Sequence, residues 1–428
     1  MTDQGGAVHR MTPLVRPPDA TVQVPGSKSL TNRALVAAGL ARGTSQLTGV
    51  LDADDTRAMI EGLTALGIEV AWRDATTLTV VGAGGPPPVA APHLDVRLSG
   101  TTARFLAPVL ALLPGPSRLD AAPAFRRRPM GPSIEALRAL GCTVTEQAQP
   151  GHLPISVAGG PVRGGAVEVA GDASSQFLSG LLLSAPAFAA GLELRLTTAL
   201  VSQPYVDMTA GVLARFGASL QRPDPSTFVV AGSGYQGTEV AIEPDASAAS
   251  YLLAAAAITG GRVRVAGLTR DAVQGDAGFA AVLGRMGAEV VVDDHGTEVR
   301  GTGVLHGIEV DLGSMSDTAQ TLAAVAVFAD APTRITGIGF IRAKETDRIA
   351  AVVTELRRLG IDAREEEDGL LIHPGTPRPG TVATYDDHRM AMSFALLGLR
   401  VPGIAIADPG CVAKTFPTYF AVLERLRG

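Results

Sequence analysis

The sequence predicts an α/β (α+β) protein of two domains, each made of three copies of one helix-and-strand repeat. Three observations carry this. The 428 residues are too many for one ordinary core. A short pattern recurs six times, close to once per sixth of the chain. Each copy carries a helix signature and a strand signature together, which argues for domains of packed repeats rather than a solenoid.

The pattern is Leu-x-x-apolar-Gly. It appears at Leu63 to Gly67, Leu137 to Gly141, Leu213 to Gly217, Leu283 to Gly287 and Leu356 to Gly360, with the glycines 70 to 76 residues apart. A degenerate sixth copy is Leu423-Glu-Arg-Leu426. Apolar positions three apart share one helix face, and the glycine predicts a left-handed cap that ends the helix. A β-like run follows, as in Ala288-Glu-Val-Val-Val292. A second helix opens each copy. Gly171-Asp-Ala-Ser-Ser-Gln-Phe-Leu resembles Pro244-Asp-Ala-Ser-Ala-Ala-Ser-Tyr, and Ser99-Gly-Thr-Thr-Ala-Arg and Met315-Ser-Asp-Thr-Ala-Gln share the character. Asp, Ser and Thr stand where a helix needs its N-cap. The small apolar residues that follow predict helices buried all round. The domain break is expected near 237 to 243, after the turn-rich Gly232-Ser-Gly-Tyr-Gln-Gly, and the Pro-rich Gly84 to Pro92 reads as a loop between copies.

The chain is 46% hydrophobic and 18% charged, with a net charge of -6. That composition excludes a disordered chain and disfavours binding to nucleic acid or an anionic membrane. Two cysteines, Cys142 and Cys411, and no Cys/His cluster argue against a disulfide framework and a zinc site, and fit a reducing cytoplasm. Met1 to Ala20 has no signal-peptide core, and no apolar run is long enough to cross a bilayer. Of 36 basic residues only three are lysine: Lys28, Lys344 and Lys414. A codon bias toward arginine explains the scarcity. The three survivors are then candidates for places where a compact, deprotonatable ammonium is needed and a planar guanidinium will not serve.

Four segments interrupt the apolar repeats. In Pro25-Gly-Ser-Lys-Ser-Leu-Thr-Asn-Arg33, a turn leads into a helix expected over Asn32 to Leu40 and offers Lys28, Ser29 and Arg33 to an anion. Gly171 to Phe177 presents Ser174, Ser175 and Gln176, a neutral phosphate cradle or a plain N-cap. In Ala343-Lys-Glu-Thr-Asp-Arg348, the spacing puts Lys344 and Arg348 on one helix face beside Glu345, a pattern that surface ion pairs also produce. Tyr385-Asp-Asp-His-Arg-Met-Ala-Met places His388 and Arg389 before an apolar helix, with Cys411-Val-Ala-Lys-Thr-Phe-Pro downstream. No Gly-x-Ser-x-Gly context supports a hydrolase triad. Cations gathered at helix starts of an acidic protein predict a polyanionic ligand.

These segments, with Gly100-Thr101 and Arg104, Arg128-Pro-Met130, Ser202-Gln-Pro-Tyr205, Asp387-His-Arg-Met-Ala-Met392 and Ala413-Lys-Thr-Phe416, together resemble the 5-enolpyruvylshikimate-3-phosphate synthase family, in its order and over roughly residues 21 to 428. The resemblance implies a two-domain, inverse α/β barrel-like enolpyruvyl transferase fold of six βαβαββ units. The N-terminal domain would be 21–240; residues 1–20 and 241–428 would form the C-terminal domain. It implies transfer of the enolpyruvyl group of phosphoenolpyruvate to the 5-hydroxyl of shikimate 3-phosphate, with release of phosphate, on the path to chorismate and the aromatic amino acids. No cofactor or metal is implied, and the partners are the two small substrates alone, met by a cytoplasmic monomer.

Carried over residue by residue, the resemblance assigns shikimate 3-phosphate to Lys28, Ser29, Arg33, Ser174, Ser175, Gln176, Ser202, Asp317 and Lys344, with Tyr205 lining the site. Phosphoenolpyruvate falls to Lys28, Gly100, Thr101, Arg128, Gln176, Arg348, Arg389 and Lys414. Asp317 would be the base, and Glu345, with Lys28, the proton donor to carbon. All three lysines are on these lists. Gly100 leaves the phosphoenolpyruvate pocket uncrowded, which predicts competition by glyphosate. Leu98, Gln203 and Phe340 stand where the family often has polar residues and bear on affinity. Two rivals are related transferases with other acceptors: the sister family acting on UDP-N-acetylglucosamine, whose loop cysteine has no counterpart near Arg126 to Met130, and a paralogue for a related cyclohexene acid. A third is a non-catalytic phosphometabolite-binding protein.

Overall fold

The computed structural model describes residues 7–160, 162–172 and 174–427. The chain divides into two compact units, Gly26–Glu243 and Met1–Pro25 with Pro244–Gly428. The boundaries lie a few residues beyond those read from sequence, because the chain leaves and re-enters in paired extended segments. The Ser27 amide donates to the Glu243 carbonyl in one unit, and the Asp245 amide to the Pro25 carbonyl in the other. Of the N-terminal arm, residues 1–6 lie outside the described residues.

Each unit contains three small mixed sheets among the described residues, and one topology recurs. His93–Asp95 pairs in parallel with Ser117–Asp120, and Ile155–Ala158 adds antiparallel and carries Thr143–Glu146 on its far side. Gly165–Val169 onward and Glu309–Asp311 onward repeat this order. The units close on themselves by borrowing strands. In the first repeat the parallel partners of Ala41–Thr48 are Tyr235–Gln236 and Glu239–Ala241, from the end of that unit. In the other unit Asp19–Val22 lies parallel to Arg262–Ala266, and Val8–Arg10 runs antiparallel to Ile404–Ala407.

Two helices serve each sheet. The inner ones are those read as apolar all round, and they form the core of each unit. Residues Ala246 to Ile258 are buried, as are Leu30 to Leu40 and Gly100 to Leu110. Their small residues let backbones meet: a Cβ on Gly180 would come within 2.1 Å of the Arg104 carbonyl. The outer helices end as the repeat predicts. Gly67, Gly141, Gly217, Gly287 and Gly360 all have φ between +82° and +104°, where a side chain is strained. The leucine pairs before them face the core, as Leu63, Leu66, Leu356 and Leu359 show. Among the described residues no helix is long and apolar enough to cross a membrane.

Candidate active site

The predicted residues fall into two clusters, one in each unit. Both are built at helix starts, where unpaired backbone amides leave a positive end.

In the unit Gly26–Glu243, the first inner helix runs Lys28–Leu40, four residues longer than read from sequence. Ser27 is the reason: its hydroxyl accepts from the Leu30 amide at 3.4 Å, and the added turn brings Lys28 and Ser29 onto the helix. Lys28 Nζ lies 3.2 Å from Asp55 Oδ2, a buried carboxylate at the start of Asp54–Ala65. Sequence reasoning missed Asp55, because it stands in an acidic run that reads as ordinary first-turn charge. Arg33 is 1% exposed. Its Nε donates to Thr209 Oγ1 (2.9 Å), Nη1 to the Ser29 carbonyl (2.9 Å), and Nη2 to Ser179 Oγ (3.1 Å) and the Tyr205 carbonyl (3.0 Å). Burial pushes its pKa down to about 10, which still leaves it cationic at neutral pH. Arg33 therefore clamps three helices together, and at most one of its five N–H groups remains for a ligand.

The second inner helix, Gly100–Leu110, is capped by Ser99, whose Oγ accepts from the Thr102 amide at 3.2 Å. Two guanidiniums gather at its start. Arg104 Nη1 donates to Gln176 Oε1 at 2.8 Å and Nη2 to the Pro129 carbonyl at 3.2 Å. Arg128 lies over the Phe125 ring at 5.0 Å. A Cβ on Gly100 would stand 2.7 Å from Arg104 Nη1 and 3.2 Å from both terminal nitrogens of Arg128. Gly100, Thr101, Arg104 and Arg128 thus make a cationic recess against a helix N-terminus, the arrangement that suits a phosphate or carboxylate.

The serines belong to the third repeat. Ser174 caps Ser175–Ser184, accepting from the Gln176 amide at 3.3 Å, and Ser202 adopts a left-handed conformation (φ 55°) before Gln203–Arg215. Thr198 Oγ1 accepts the Gly171 and Asp172 amides, and the Val201 amide donates to the Gly171 carbonyl at 3.0 Å. These bonds staple the two serine-bearing turns together. Gln203 is turned outward to Asp207, to which its Nε2 donates at 2.7 Å, and Leu98 is exposed.

In the other unit the centre is Arg348, 2% exposed, held by three carboxylates. Nη1 meets Asp317 Oδ1 at 3.1 Å and Nη2 meets Glu345 Oε2 at 2.8 Å. Nε and Nη2 meet Asp387 at 2.7 and 3.3 Å. Burial opposes this charge, but Asp387, Glu345 and Asp317 outweigh it and raise the Arg348 pKa above the ordinary value. Arg389 Nη2 donates to Asp317 Oδ2 at 2.6 Å and its Nη1 to the Asp317 carbonyl at 3.1 Å. Lys414 Nζ donates to Glu345 Oε1 at 2.7 Å. Asp317, Glu345, Arg348, Arg389 and Lys414 thus form one network, in which the carboxylates of Asp317 and Glu345 flank one guanidinium. Both are part-exposed, at 16% and 14%, and so reachable.

Two readings need correction here. Lys344 and Arg348 do not share a helix face. The helix begins at Arg348, because Asp347 caps it by accepting from the Ala350 amide at 3.0 Å. Lys344 ends a 3-10 turn, Gly339–Ala343, with Nζ 5.9 Å from the centre of the Phe340 ring. His388 and Arg389 do not precede their helix but open it, since Asp387 is its cap. Asp387 was also missed as a partner. Its signal was available in the run Asp386-Asp387-His388, where an acid directly before an apolar helix is a cap, but nothing local points to Arg348.

A family model described as EPSP synthase (3-phosphoshikimate 1-carboxyvinyltransferase) matches residues 15–423. The chain is 45% identical over 417 residues to the 3-phosphoshikimate 1-carboxyvinyltransferase of Trichormus variabilis, covering 97% of this chain and 98% of that one. It is 44% identical over 425 residues to that of Cupriavidus taiwanensis, covering 96% and 97%. A solved EPSP synthase from Acinetobacter baumannii superposes with a TM-score of 0.82 at 26% identity, over 98% of each chain.

Proposed function

We propose a mechanism from one premise: the chain belongs to the EPSP synthase family, and its activity is that of a 3-phosphoshikimate 1-carboxyvinyltransferase. Phosphoenolpyruvate gives its enolpyruvyl group to the 5-hydroxyl of shikimate 3-phosphate, and phosphate is released. The observation that supports the assignment of roles is the Asp317–Arg348–Glu345–Lys414 network, two reachable carboxylates held by fixed cations.

In this reading Ser174, Ser175 and Ser202 take the phosphate of shikimate 3-phosphate, with Lys344, while Ser29 and Arg33 take its carboxylate and Gln176 lines the site. Phosphoenolpyruvate meets Lys28, Arg128 and the Gly100-Thr101 helix start, and Arg348, Arg389 and Lys414. Cations placed before the reaction stabilise the phosphate as it leaves, at no reorganisation cost. In the addition step the hydroxyl oxygen bonds to C2 of phosphoenolpyruvate, its proton passes to Asp317, and the C3 methylene gains a proton from Glu345. The product is a tetrahedral ketal bearing the phosphate. In the elimination step a methyl proton returns to Glu345, the C2–O bond to phosphate breaks, and the departing phosphate takes the proton from Asp317. Arg348 and Arg389 hold Asp317 at both carboxylate oxygens, which fixes its position for this role. Glu345 lies between Arg348 and Lys414, and Lys414 Nζ at 2.7 Å is placed to pass it the proton that it delivers to carbon.

The test is phosphate release from phosphoenolpyruvate with shikimate 3-phosphate, shikimate or UDP-N-acetylglucosamine. Turnover with the first alone is expected; turnover only with another acceptor would reassign the serines. Glu345→Gln should lose solvent-proton exchange into the methylene by about 100-fold or more, the usual worth of a positioned acid. Unchanged exchange would remove Glu345 from the role.

A further inference from the structure

One buried carboxyl group beside this network has no part in the steps above. Asp276 lies on the turn Gly275–Gly278, is 5% exposed, and has Asp317 and Arg389 among its charged neighbours. Its Oδ2 accepts a short hydrogen bond from Ser247, on the inner helix Ala246–Thr259. Its Oδ1 has no hydrogen-bond partner among the described residues. Ser247 Oγ in turn accepts from Arg389 Nη2 at 3.5 Å, and the same Nη2 donates to Asp317 Oδ2 at 2.6 Å. A continuous chain therefore runs Asp276–Ser247–Arg389–Asp317.

We propose that Asp276 is a positioning residue that acts on Arg389 through Ser247, and that its protonation sets how much of the Arg389 charge is open to an anionic substrate. The charged groups facing Asp276 are Asp317 from the turn Ser316–Thr318, Arg389 from the helix His388–Ala395, and Asp245 at the cap of the helix that carries Ser247. A buried carboxylate with one donor and two acidic neighbours is costly to ionise. Burial first, then the Asp317 charge, push the Asp276 pKa up to about 7. When Asp276 is neutral, it adds no negative charge to the groups that already face Arg389. When it is ionised, a second negative group draws on the same guanidinium and repels the anion.

The inference rests on the family activity, so its test has one arm that needs turnover and one that does not. In the first, kcat/KM for phosphoenolpyruvate is followed from pH 6 to 9 in wild type, Asp276→Asn and Ser247→Ala. Substrate ionisations are common to all three and cancel in ratios. Asp276→Asn relative to wild type should rise by about five- to tenfold from pH 6 to pH 9, the low end of coupling between linked sites. Ser247→Ala cuts the link between Asp276 and Arg389, so its alkaline decline should be lost as in Asp276→Asn. Flat ratios for both variants would overturn the proposal. In the second arm, infrared difference spectra between pH 6 and pH 9 should show a protonated carboxylic acid carbonyl that disappears at high pH and is shifted in Ser247→Ala. Its absence in the wild-type protein would overturn the proposal even if the protein turned over no substrate, and its presence would support it whether or not Asp276→Asn folds.

Discussion

Asp387 grips Arg348 with both carboxylate oxygens, Oδ2 to Nε at 2.7 Å and Oδ1 to Nη2 at 3.3 Å, and both side chains are buried. The same Oδ1 accepts the Arg389 amide at 2.9 Å, so one carboxylate caps a helix and fixes the central cation of the network. Removing it leaves Arg348 with Asp317 and Glu345 alone. Asp387→Ala should destabilise the protein by about 3 kcal/mol, the cost of breaking a buried pair, and Asp387→Asn, which keeps a cap acceptor, by less. Urea unfolding followed by circular dichroism checks the order; equal losses would mean that the negative charge is not what matters.

The lysine argument is open to direct test. Lys414 is 8% exposed and 2.7 Å from Glu345, a position for a compact ammonium and not a fork. Lys414→Arg and Lys28→Arg should each lower kcat by roughly 100-fold, the lower range for a positioned acid–base group. Arg364→Lys, an exposed change, should leave kcat as it is.

Gly100→Ala should act on the ligand and not on the fold. Its Cβ would press on the terminal nitrogens of Arg104 and Arg128, and alanine is favoured in a helix. The Michaelis constant for phosphoenolpyruvate should rise about tenfold, as when one charge-assisted hydrogen bond is lost, with the melting temperature unchanged. Because glyphosate competes at this recess in our reading, its inhibition should weaken too. A change in melting temperature with no change in the Michaelis constant would sink this account.

Burial pushes the thiol of Cys142 up to about 11 and that of Cys411 up to about 12. Neither is a thiolate at pH 8, so a disulfide reagent should label the native protein at least about 100-fold more slowly than the unfolded chain. Fast labelling of one thiol in native buffer would show that its segment opens.

Asp276 also makes a stability prediction. Its pKa is raised from 3.8 to about 7, mainly by burial. A carboxyl group raised in the folded state favours folding below its unfolded value and loses that contribution as pH climbs through the folded value. Asp276→Asn should therefore gain on wild type between pH 5 and pH 8.5, by a few degrees of melting temperature at most. Parallel curves would mean that the carboxyl does not titrate in this range.

The repeat was legible because its signals are local. A leucine pair three residues apart and a glycine that must turn left-handed are set within five residues, and each of the five glycines does turn so. Helix starts were less legible. Ser27 and Asp347 compete with their neighbours for the cap, and the winner moved Lys28 onto one helix and Lys344 off another. The partners of the charged residues were least legible. Asp387 is 39 residues from Arg348, and Asp55 is 27 from Lys28; nothing in either segment names the other. Charge at a helix start can be read from sequence, but its counter-ion is chosen by packing between repeats.

The borrowed strands have a consequence for biosynthesis. Among the described residues Val8–Arg10 pairs only with Ile404–Ala407, about 396 residues later, whereas the sheets of Gly26–Glu243 are built from strands of that unit alone. At about 5–20 residues per second, the ribosome leaves the amino-terminal arm without its partner for roughly 20–80 seconds. The inserted unit can be finished in that interval, while the unit that encloses it in sequence must wait until Ile404–Ala407 has been made. Nascent chains stalled short of residue 404 should thus carry one protease-resistant body and an arm that is still open to cleavage.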